Sequence, residues 1–136
     1  MITAVDTSVL LDVFTADPRF GPASASALRD CLDEGRLVVC DAVLAETATV
    51  FADAGSAWAA LEKLRVAFSP MTLEASLKAA TAWRSYRVRG GPRQRIAADF
   101  LIGAHAKDAA DRLLTRDRGF YRTYFRGLKV VDPTAK

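Results

Sequence analysis

The chain has little cysteine and histidine, and this scarcity narrows the kinds of site that it can build. Only two cysteines, Cys31 and Cys40, occur among its 136 residues, and they lack the spacing of metal ligands. Both lie in apolar surroundings, which predicts reduced thiols packed in the core of a cytoplasmic protein. The single histidine, His105, follows Gly103 on an otherwise apolar segment. We therefore interpret it as a packed side chain rather than a catalyst.

Long hydrophobic runs, low-complexity tracts and internal repeats are also missing. Five prolines and eight glycines are scattered along the chain, so no linker is visible. The apolar start is interrupted by Asp6 and Asp12 and has no basic leader, which favours a strand and a helix over a signal peptide. No run approaches membrane-spanning length. With 51% apolar residues, we expect a single domain over residues 1–136 that does not associate with membranes.

The net charge of +3 is unevenly distributed. Residues 1–68 contain 10 acidic and 5 basic side chains, whereas residues 69–136 contain 6 and 14. No acid occurs between Glu74 and Asp99. This interval predicts a surface that binds a polyanion, and its arginines favour phosphate because a planar guanidinium binds phosphate bidentately. A solvated helix face followed by a loop is the simpler interpretation of the same composition. The arginines that we assign to substrate binding are Arg84, Arg87, Arg89, Arg93, Arg95 and Arg116.

The spacing of apolar residues predicts strands that alternate with helices. Strands are expected over residues 2–5, 37–40, 67–71, 112–115 and 129–131, and Pro70 predicts that the third is weak or lies at an edge. Helices are expected near residues 9–14, over 23–34, from Asp41 as N-cap to about 51, from Ser56 as N-cap to about 66, over 73–87, over 96–107 and near Phe120. This alternation predicts an α/β fold: a three-layer α/β/α sandwich around a central, mostly parallel sheet of about five strands.

Four acids lie where a buried carboxylate is costly. Asp6 ends an apolar run, Glu46 interrupts one, Asp99 lies between Ala98 and Phe100, and Asp117 follows the fourth strand. Buried carboxylates normally protonate, pair with a base or bind a cation, so four of them invite one shared explanation. Oxygen ligation suits Mg²⁺ or Mn²⁺, which commonly act on phosphate substrates. Because ligands gather beyond the carboxyl ends of parallel strands, we expect these acids at that edge of the sheet, with Asp99 near the start of its helix.

Each of these residues also has a simpler interpretation. Asp6 could cap the first helix, Asp117 could be a turn residue, and Thr115 could merely finish a strand. Asp41 is expected to act only as a cap, and Asp12 is expected to face solvent. The helically spaced Trp58, Leu61 and Leu64 are expected to lie in the core.

The chain resembles the PIN-domain ribonucleases and, among them, the VapC-type toxins of toxin–antitoxin pairs. The resemblance covers essentially the whole chain and rests on four segments in this order: residues 5–12 (VDTSVLLD), 41–46 (DAVLAE), 97–106 (AADFLIGAHA) and 113–121 (LLTRDRGFY). It implies a PIN-like sandwich and metal-dependent hydrolysis of RNA phosphodiester bonds. One departure is Ser8, which stands where many relatives carry asparagine.

The resemblance also implies the roles of individual residues. Asp6, Glu46, Asp99 and Asp117 would form the acidic quartet, and Thr115 would be its hydroxyl companion. Asp6, Asp99 and Asp117 would be the metal ligands, while Glu46 would orient or deprotonate the attacking water. The implied cofactor is Mg²⁺, for which Mn²⁺ could substitute. The implied partners are a cognate antitoxin, which in this family commonly occupies a groove near residues 42–66, the RNA substrate and a second copy of the chain.

Three other functions fit parts of the same pattern. A PIN-type nuclease of RNA maturation or flap cleavage would keep the fold and the metal site. A phosphoacceptor receiver domain would need an acid pair after the first strand and an aspartate after the third, and the chain has neither. A non-catalytic RNA-binding module would use only the arginine-rich interval.

Overall fold

The computed structural model describes residues 1–92 and 95–135 of the chain. Over these residues, five strands alternate with helices. The strands are β1 (Ile2–Val5), β2 (Arg36–Val39), β3 (Val66–Phe68), β4 (Arg112–Leu114) and β5 (Val130–Val131). The helices are α1 (Thr7–Phe14), α2 (Gly21–Asp33), α3 (Asp41–Ala48), α4 (Ala54–Lys63), α5 (Leu73–Val88), α6 (Ala97–Ala109) and α7 (Arg118–Tyr124).

The sheet is parallel throughout, with the strand order β3-β2-β1-β4-β5. The chain moves outward from β1 to β3 and then returns to β4 on the other side of β1. Because crossovers between parallel strands are right-handed, connections in these two opposite directions place helices on both faces of the sheet, so the predicted α/β/α sandwich is confirmed. The strand order reverses between β1 and β4, which is the position where open parallel sheets bind ligands.

The core consists of the apolar strands and the helix faces that cover them. Val5, Val39, Leu113 and Leu114 are 0–1% exposed, as expected for strands buried on both faces. Leu61 is fully buried, and Trp58 and Leu64 pack against this core, as the spacing predicted. Cys31 and Cys40 are buried free thiols, which confirms their predicted place in the core.

His105 was correctly predicted to be a packed histidine. Its ring is buried, and Nε2 lies 3.0 Å from Ser69 Oγ. Burial lowers the pKa of this imidazole, because the charged form loses its hydration.

Two predicted helix caps were wrong. Asp53, rather than Ser56, is the N-cap of α4, and its Oδ1 accepts a hydrogen bond from Ser56 N at 2.7 Å. Asp41 lies in the first turn of α3, where Cys40 is the N-cap, and its Oδ1 instead accepts from Met71 N at 2.7 Å. The Asp41 side chain therefore joins α3 to the segment after β3, a tertiary contact that local sequence cannot reveal.

Several element bounds also differ from prediction. Helix α3 ends at Ala48 rather than near residue 51, and α4 ends at Lys63 before Arg65 adopts a φ of +61°. The third strand covers Val66–Phe68 rather than residues 67–71, and it is an edge strand, as Pro70 predicted. Helix α5 begins after Thr72, whose hydroxyl accepts from Ala75 N at 3.0 Å.

Asp12 was predicted to face solvent, and this was wrong. Its side chain is 4% exposed and accepts hydrogen bonds from Arg116 Nε at 2.8 Å, Arg116 Nη2 at 3.0 Å and Ser24 Oγ at 2.8 Å. The Arg116 guanidinium also lies 4.0 Å from the ring centroid of Phe20. This bidentate pair ties α1 and α2 to the segment that follows β4.

None of the helices in the described part of the chain is both long and apolar enough to cross a lipid bilayer.

Candidate active site

The candidate site lies at the carboxyl ends of β1 and β4, the two strands that flank the reversal of strand order. Asp6 follows β1, and Thr115 and Asp117 follow β4. Thr115 Oγ1 donates to Asp6 Oδ2 at 2.6 Å and accepts from Asp117 N at 2.9 Å. The fully buried Thr115 hydroxyl therefore links the two aspartates that the sequence placed 111 positions apart.

Asp6 is a carboxyl that the protein holds out of water. It is 7% exposed, and burial raises its pKa from 3.8 to about 6. Its hydrogen bonds with Thr115 and Thr7 oppose this shift, whereas the nearby carboxylates of Asp99 and Glu46 add to it. A cation bound here would relieve both the desolvation and the repulsion.

Asp99 lies in the first turn of α6, near the helix start, as predicted. Its Oδ2 accepts from Ile96 N at 3.2 Å, which satisfies an N–H group at the helix start. The pKa of this half-buried carboxyl is raised, mainly by burial, while Asp117 raises it further and Arg95 lowers it. The helix N-terminus therefore brings Asp99 close to both Asp6 and Asp117.

Glu46 reaches the same site from α3. Its Oε1 accepts from Thr7 Oγ1 at 2.7 Å, and Thr7 directly follows Asp6. This hydrogen bond fixes the Glu46 carboxylate beside the amino-terminal end of α1.

The fourth acid, Asp117, already has a basic partner that sequence reasoning did not pair with it. Arg95 Nη1 donates to Asp117 Oδ2, and the two side chains are 29% and 37% exposed. The Arg95 guanidinium also lies 4.2 Å from the ring centroid of Phe120. Arg95 therefore neutralises part of the charge on the acid cluster.

Sequence reasoning also missed Tyr121. Its side chain is 1% exposed, and burial raises the pKa of its phenol; the charges of Asp6, Asp99 and Asp117 raise it further. Tyr121 thus lies among three of the four acids as a neutral phenol. Its place in the segment LLTRDRGFY, four residues after Asp117, was the available signal.

The donors at this site fit a small, hard cation. Asp6 and Asp99 offer carboxylate oxygens that repel each other, and the buried Ser8 Oγ, two residues after Asp6, has no hydrogen-bond partner among the described residues. Within residues 1–92 and 95–135, however, no three His, Cys, Asp or Glu side chains are grouped closely enough to enclose an ion. Mg²⁺ commonly binds through one or two carboxylates and keeps several waters, so this open arrangement suits it.

The predicted substrate-binding arginines differ in how their guanidinium groups are engaged. Arg84, Arg87 and Arg89 are exposed on or just after α5. Arg95 pairs with Asp117. Arg116 is bound to the buried Asp12 and packs on Phe20, so it has little freedom to bind substrate. Arg93 lies outside the described residues.

The fold defines the class of the protein: a parallel α/β/α sandwich with an acid cluster at its switch point. Three solved structures show the same fold. VapBC2 from Rickettsia felis, bound to a promoter DNA fragment, matches at 17% identity with a TM-score of 0.74, over 97% of this chain and 98% of that one. VapBC-1 from nontypeable Haemophilus influenzae matches at 19% identity and 0.74, over 99% and 100%. Mycobacterium tuberculosis VapC20, a Sarcin-Ricin loop cleaving toxin, matches at 20% identity and 0.60, over 93% and 98%.

The PIN domain family model matches residues 3–126, so the chain belongs to the PIN domain family. No curated protein gives a significant match to the sequence.

Proposed function

We propose that this chain is a Mg²⁺-dependent endoribonuclease that acts as the toxin of a toxin–antitoxin pair. The observation that carries the proposal is the buried Asp6 carboxyl, held beside Asp99 and Glu46 at the switch point of a PIN fold. Clustered carboxylates of this kind are suited to a divalent metal that works on phosphate. Mn²⁺ would substitute for Mg²⁺ because it has similar ligand preferences.

In this proposal, Asp6 and Asp99 hold the ion, and Asp117 joins them or holds a second one. The ion would supply charge neutralisation at the phosphoryl group. Thr115 keeps Asp6 and Asp117 in register through its two hydrogen bonds. Glu46, fixed by Thr7, orients the attacking water or removes its proton.

The arginines on the last turns of α5 and just after it would guide RNA to this site. Arg84, Arg87 and Arg89 are exposed, and their interval contains no acid to compete for them. Arg95 would bind a phosphate near the acids once it leaves Asp117. Arg93, from the same interval, is proposed on its sequence position alone.

The toxin role rests on the kind of protein that shares this fold. Structures with TM-scores of 0.67–0.74 include a toxin–antitoxin complex from Klebsiella pneumoniae, VapBC structures and FitAB bound to a DNA fragment. A groove of about 310 Å³, which shares only residues 63–65 with the region near residues 42–66 implied by the resemblance, offers an antitoxin segment a place to bind. Its lining includes the apolar Val13, Leu28 and Leu32 from α1 and α2 and the basic Arg29, Lys63 and Arg65. We propose that an apolar antitoxin segment with acidic flanks occupies it and that the chain forms a homodimer.

The test is RNA cleavage by the purified chain. A mixture of transfer RNAs and a hairpin with the sarcin-ricin sequence should be cut in Mg²⁺ or Mn²⁺ and left intact in EDTA. Asp6→Asn should lower the rate by at least about 100-fold, since it removes charge from the metal site while preserving volume. Asp30→Asn, which changes an exposed acid on α2, should cleave like the wild type.

Cleavage that survives both EDTA and Asp6→Asn would refute the proposal. RNA binding without metal-dependent cleavage would instead support a non-catalytic RNA-binding module.

A further inference from the structure

A cleft of about 730 Å³ lies beside the acid cluster, between the end of α5 and the start of α6. Its volume falls in the range of about 300–1,000 Å³ that is usual for small-ligand sites. The residues that matter for its chemistry are Trp83, Tyr86, Arg87, Pro92, Arg95 and Ile96. Two guanidinium groups and two aromatic rings thus line one cavity.

One wall of the cleft is an ordered stack of planar groups. The fully buried Phe100 ring packs parallel to Trp83, with ring centroids 5.6 Å apart and an interplanar angle of 12°. The Arg87 guanidinium lies 4.7 Å from the Trp83 ring centroid and is exposed. Because Phe100 belongs to the core, the stack ends in a planar cation whose position is supported from within the protein.

A second part of the cleft lining is also fixed. The Tyr86 hydroxyl donates to the carbonyl oxygen of Pro92, and the Tyr86 ring packs edge-on against Phe100 at 5.5 Å. Gly91 lies so close to this ring that a Cβ there would come within 2.5 Å of its atoms. The glycine therefore lets residues 91–92 pass close to the Tyr86 ring, whose hydroxyl holds Pro92 at the cleft.

The cleft is connected to the acid cluster through Arg95. This residue lines the cavity, and its guanidinium pairs with Asp117 and lies over Phe120. A ligand in the cleft with a phosphate at its inner end would meet Arg95 beside the acids. Its flat part would lie against the Arg87–Trp83 stack.

We infer that this cleft binds one unpaired nucleotide of the RNA substrate, with the base stacked on Arg87 and the phosphate directed to Arg95. The inference rests on the proposed function and adds a subsite to it. Bases stack on guanidinium planes and on aromatic rings, and this stacking tolerates any base because every base has a π-face. A site for phosphate alone would need the two guanidinium charges but not the planar stack of Arg87 on Trp83.

Fluorescence of Trp83 provides a direct test. The chain contains two tryptophans, so Trp58→Phe leaves Trp83 as the single reporter. In EDTA, millimolar UMP or AMP should quench this fluorescence with saturation, and ribose 5-phosphate should bind about tenfold more weakly because it has no base to stack. Equal affinities for ribose 5-phosphate and the nucleotides would overturn the inference.

Two substitutions separate the plane of Arg87 from its charge. In the same background, Arg87→Lys keeps the charge but removes the planar group, and it should weaken UMP binding about tenfold, as should Arg87→Ala. Arg122→Ala, which removes an exposed arginine of α7, should bind UMP like its parent. Wild-type affinity in Arg87→Lys would show that charge alone suffices and would overturn the inference.

Cleavage assays and fluorescence quenching test the nuclease and the nucleotide subsite separately. Metal-dependent RNA cleavage without base-dependent quenching would refute the nucleotide subsite and leave the nuclease standing. Base-dependent quenching without any metal-dependent cleavage would support the subsite and refute the nuclease.

Discussion

The pKa of Asp6 is raised because its carboxyl is buried beside two other acids. Folding raises its pKa from 3.8 to about 6, so between these values the folded chain binds more protons than the unfolded chain. The stability associated with this group is fully present below pH 3.8 and is lost as the pH rises through about 6. A proton and a bound cation each relieve the buried charge of Asp6. They therefore compete for the same carboxylate.

Asp6→Asn should remove this pH dependence. Without metal, the free energy of unfolding of the wild type should fall relative to the mutant by up to about 3 kcal/mol as the pH rises from about 4 to about 7. The measurement is urea unfolding in EDTA across this range. A difference between the two proteins that stays constant with pH would show that the Asp6 pKa is not raised.

Arg95 competes with any cation that would bind near Asp117. Removing its guanidinium in Arg95→Gln should tighten Mn²⁺ binding about twofold to fivefold, the range expected for losing a partly exposed ion pair. Titration of free Mn²⁺ by electron paramagnetic resonance measures this without any RNA. Arg36→Gln, an exposed site at the amino end of β2 and so away from the carboxyl ends of the strands, controls for the loss of one positive charge. Equal tightening in both variants would assign the effect to net charge alone.

Individual acids could be singled out from the sequence where a carboxylate interrupts an apolar pattern. Asp6, Glu46, Asp99 and Asp117 stood out in this way, and the structure brings neighbouring members within electrostatic range. Their catalytic roles stay predictions. The Arg95–Asp117 pair and the position of Tyr121 could not be read from local spacing, because both depend on how α6 and α7 meet the end of β4.

At the scale of elements, the contact between α6 and the chain after α7 depends on a glycine. A Cβ on Gly103 would lie 2.4 Å from the Phe125 ring, which is buried. Gly103→Ala should therefore lower the free energy of unfolding by about 1–3 kcal/mol, because a packed core resists an added methyl group. Thermal or urea unfolding measures this loss.

Gly119→Ala is the matched control. Gly119 lies within α7 and has no atom within 4 Å of an added Cβ, so the alanine should be neutral or stabilise the helix by up to about 1 kcal/mol. Equal destabilisation by the two substitutions would contradict the role assigned to Phe125.

The sequence predicted the type and order of these elements better than their ends. Apolar periodicity located the strands and most helices because it reflects burial on one face or both. The cap of α3 was mistaken because the Asp41 carboxylate accepts from Met71 N, 30 residues away, and the cap of α4 was mistaken because Asp53 accepts the N–H group of Ser56. Asp12 was mistaken because its partner, Arg116, lies 104 residues away in the sequence.

At the scale of the whole molecule, the uneven charge predicts that RNA affinity depends strongly on salt. For binding of a single-stranded RNA to Asp6→Asn in EDTA, the logarithm of the association constant should fall linearly with the logarithm of the KCl concentration. Arg84→Ala in that background should reduce the slope by about 0.7, the amount expected for one lost phosphate contact. Arg36→Ala should leave the slope unchanged, and a reduced slope there would show that the acid-free interval is not the RNA-binding surface.

The adjacency of β1 and β4 has a consequence for synthesis of the chain. Thr3 and Asp6 at the start of the sequence are bonded to Arg112 and Thr115 near its end, each over 109 residues. Contacts this remote form late, because a long loop must close first. A growing polypeptide on the ribosome therefore has no assembled acid cluster until β4 has emerged and docked. Products that terminate before β4 lack Thr115 and Asp117, so premature release cannot yield an intact site.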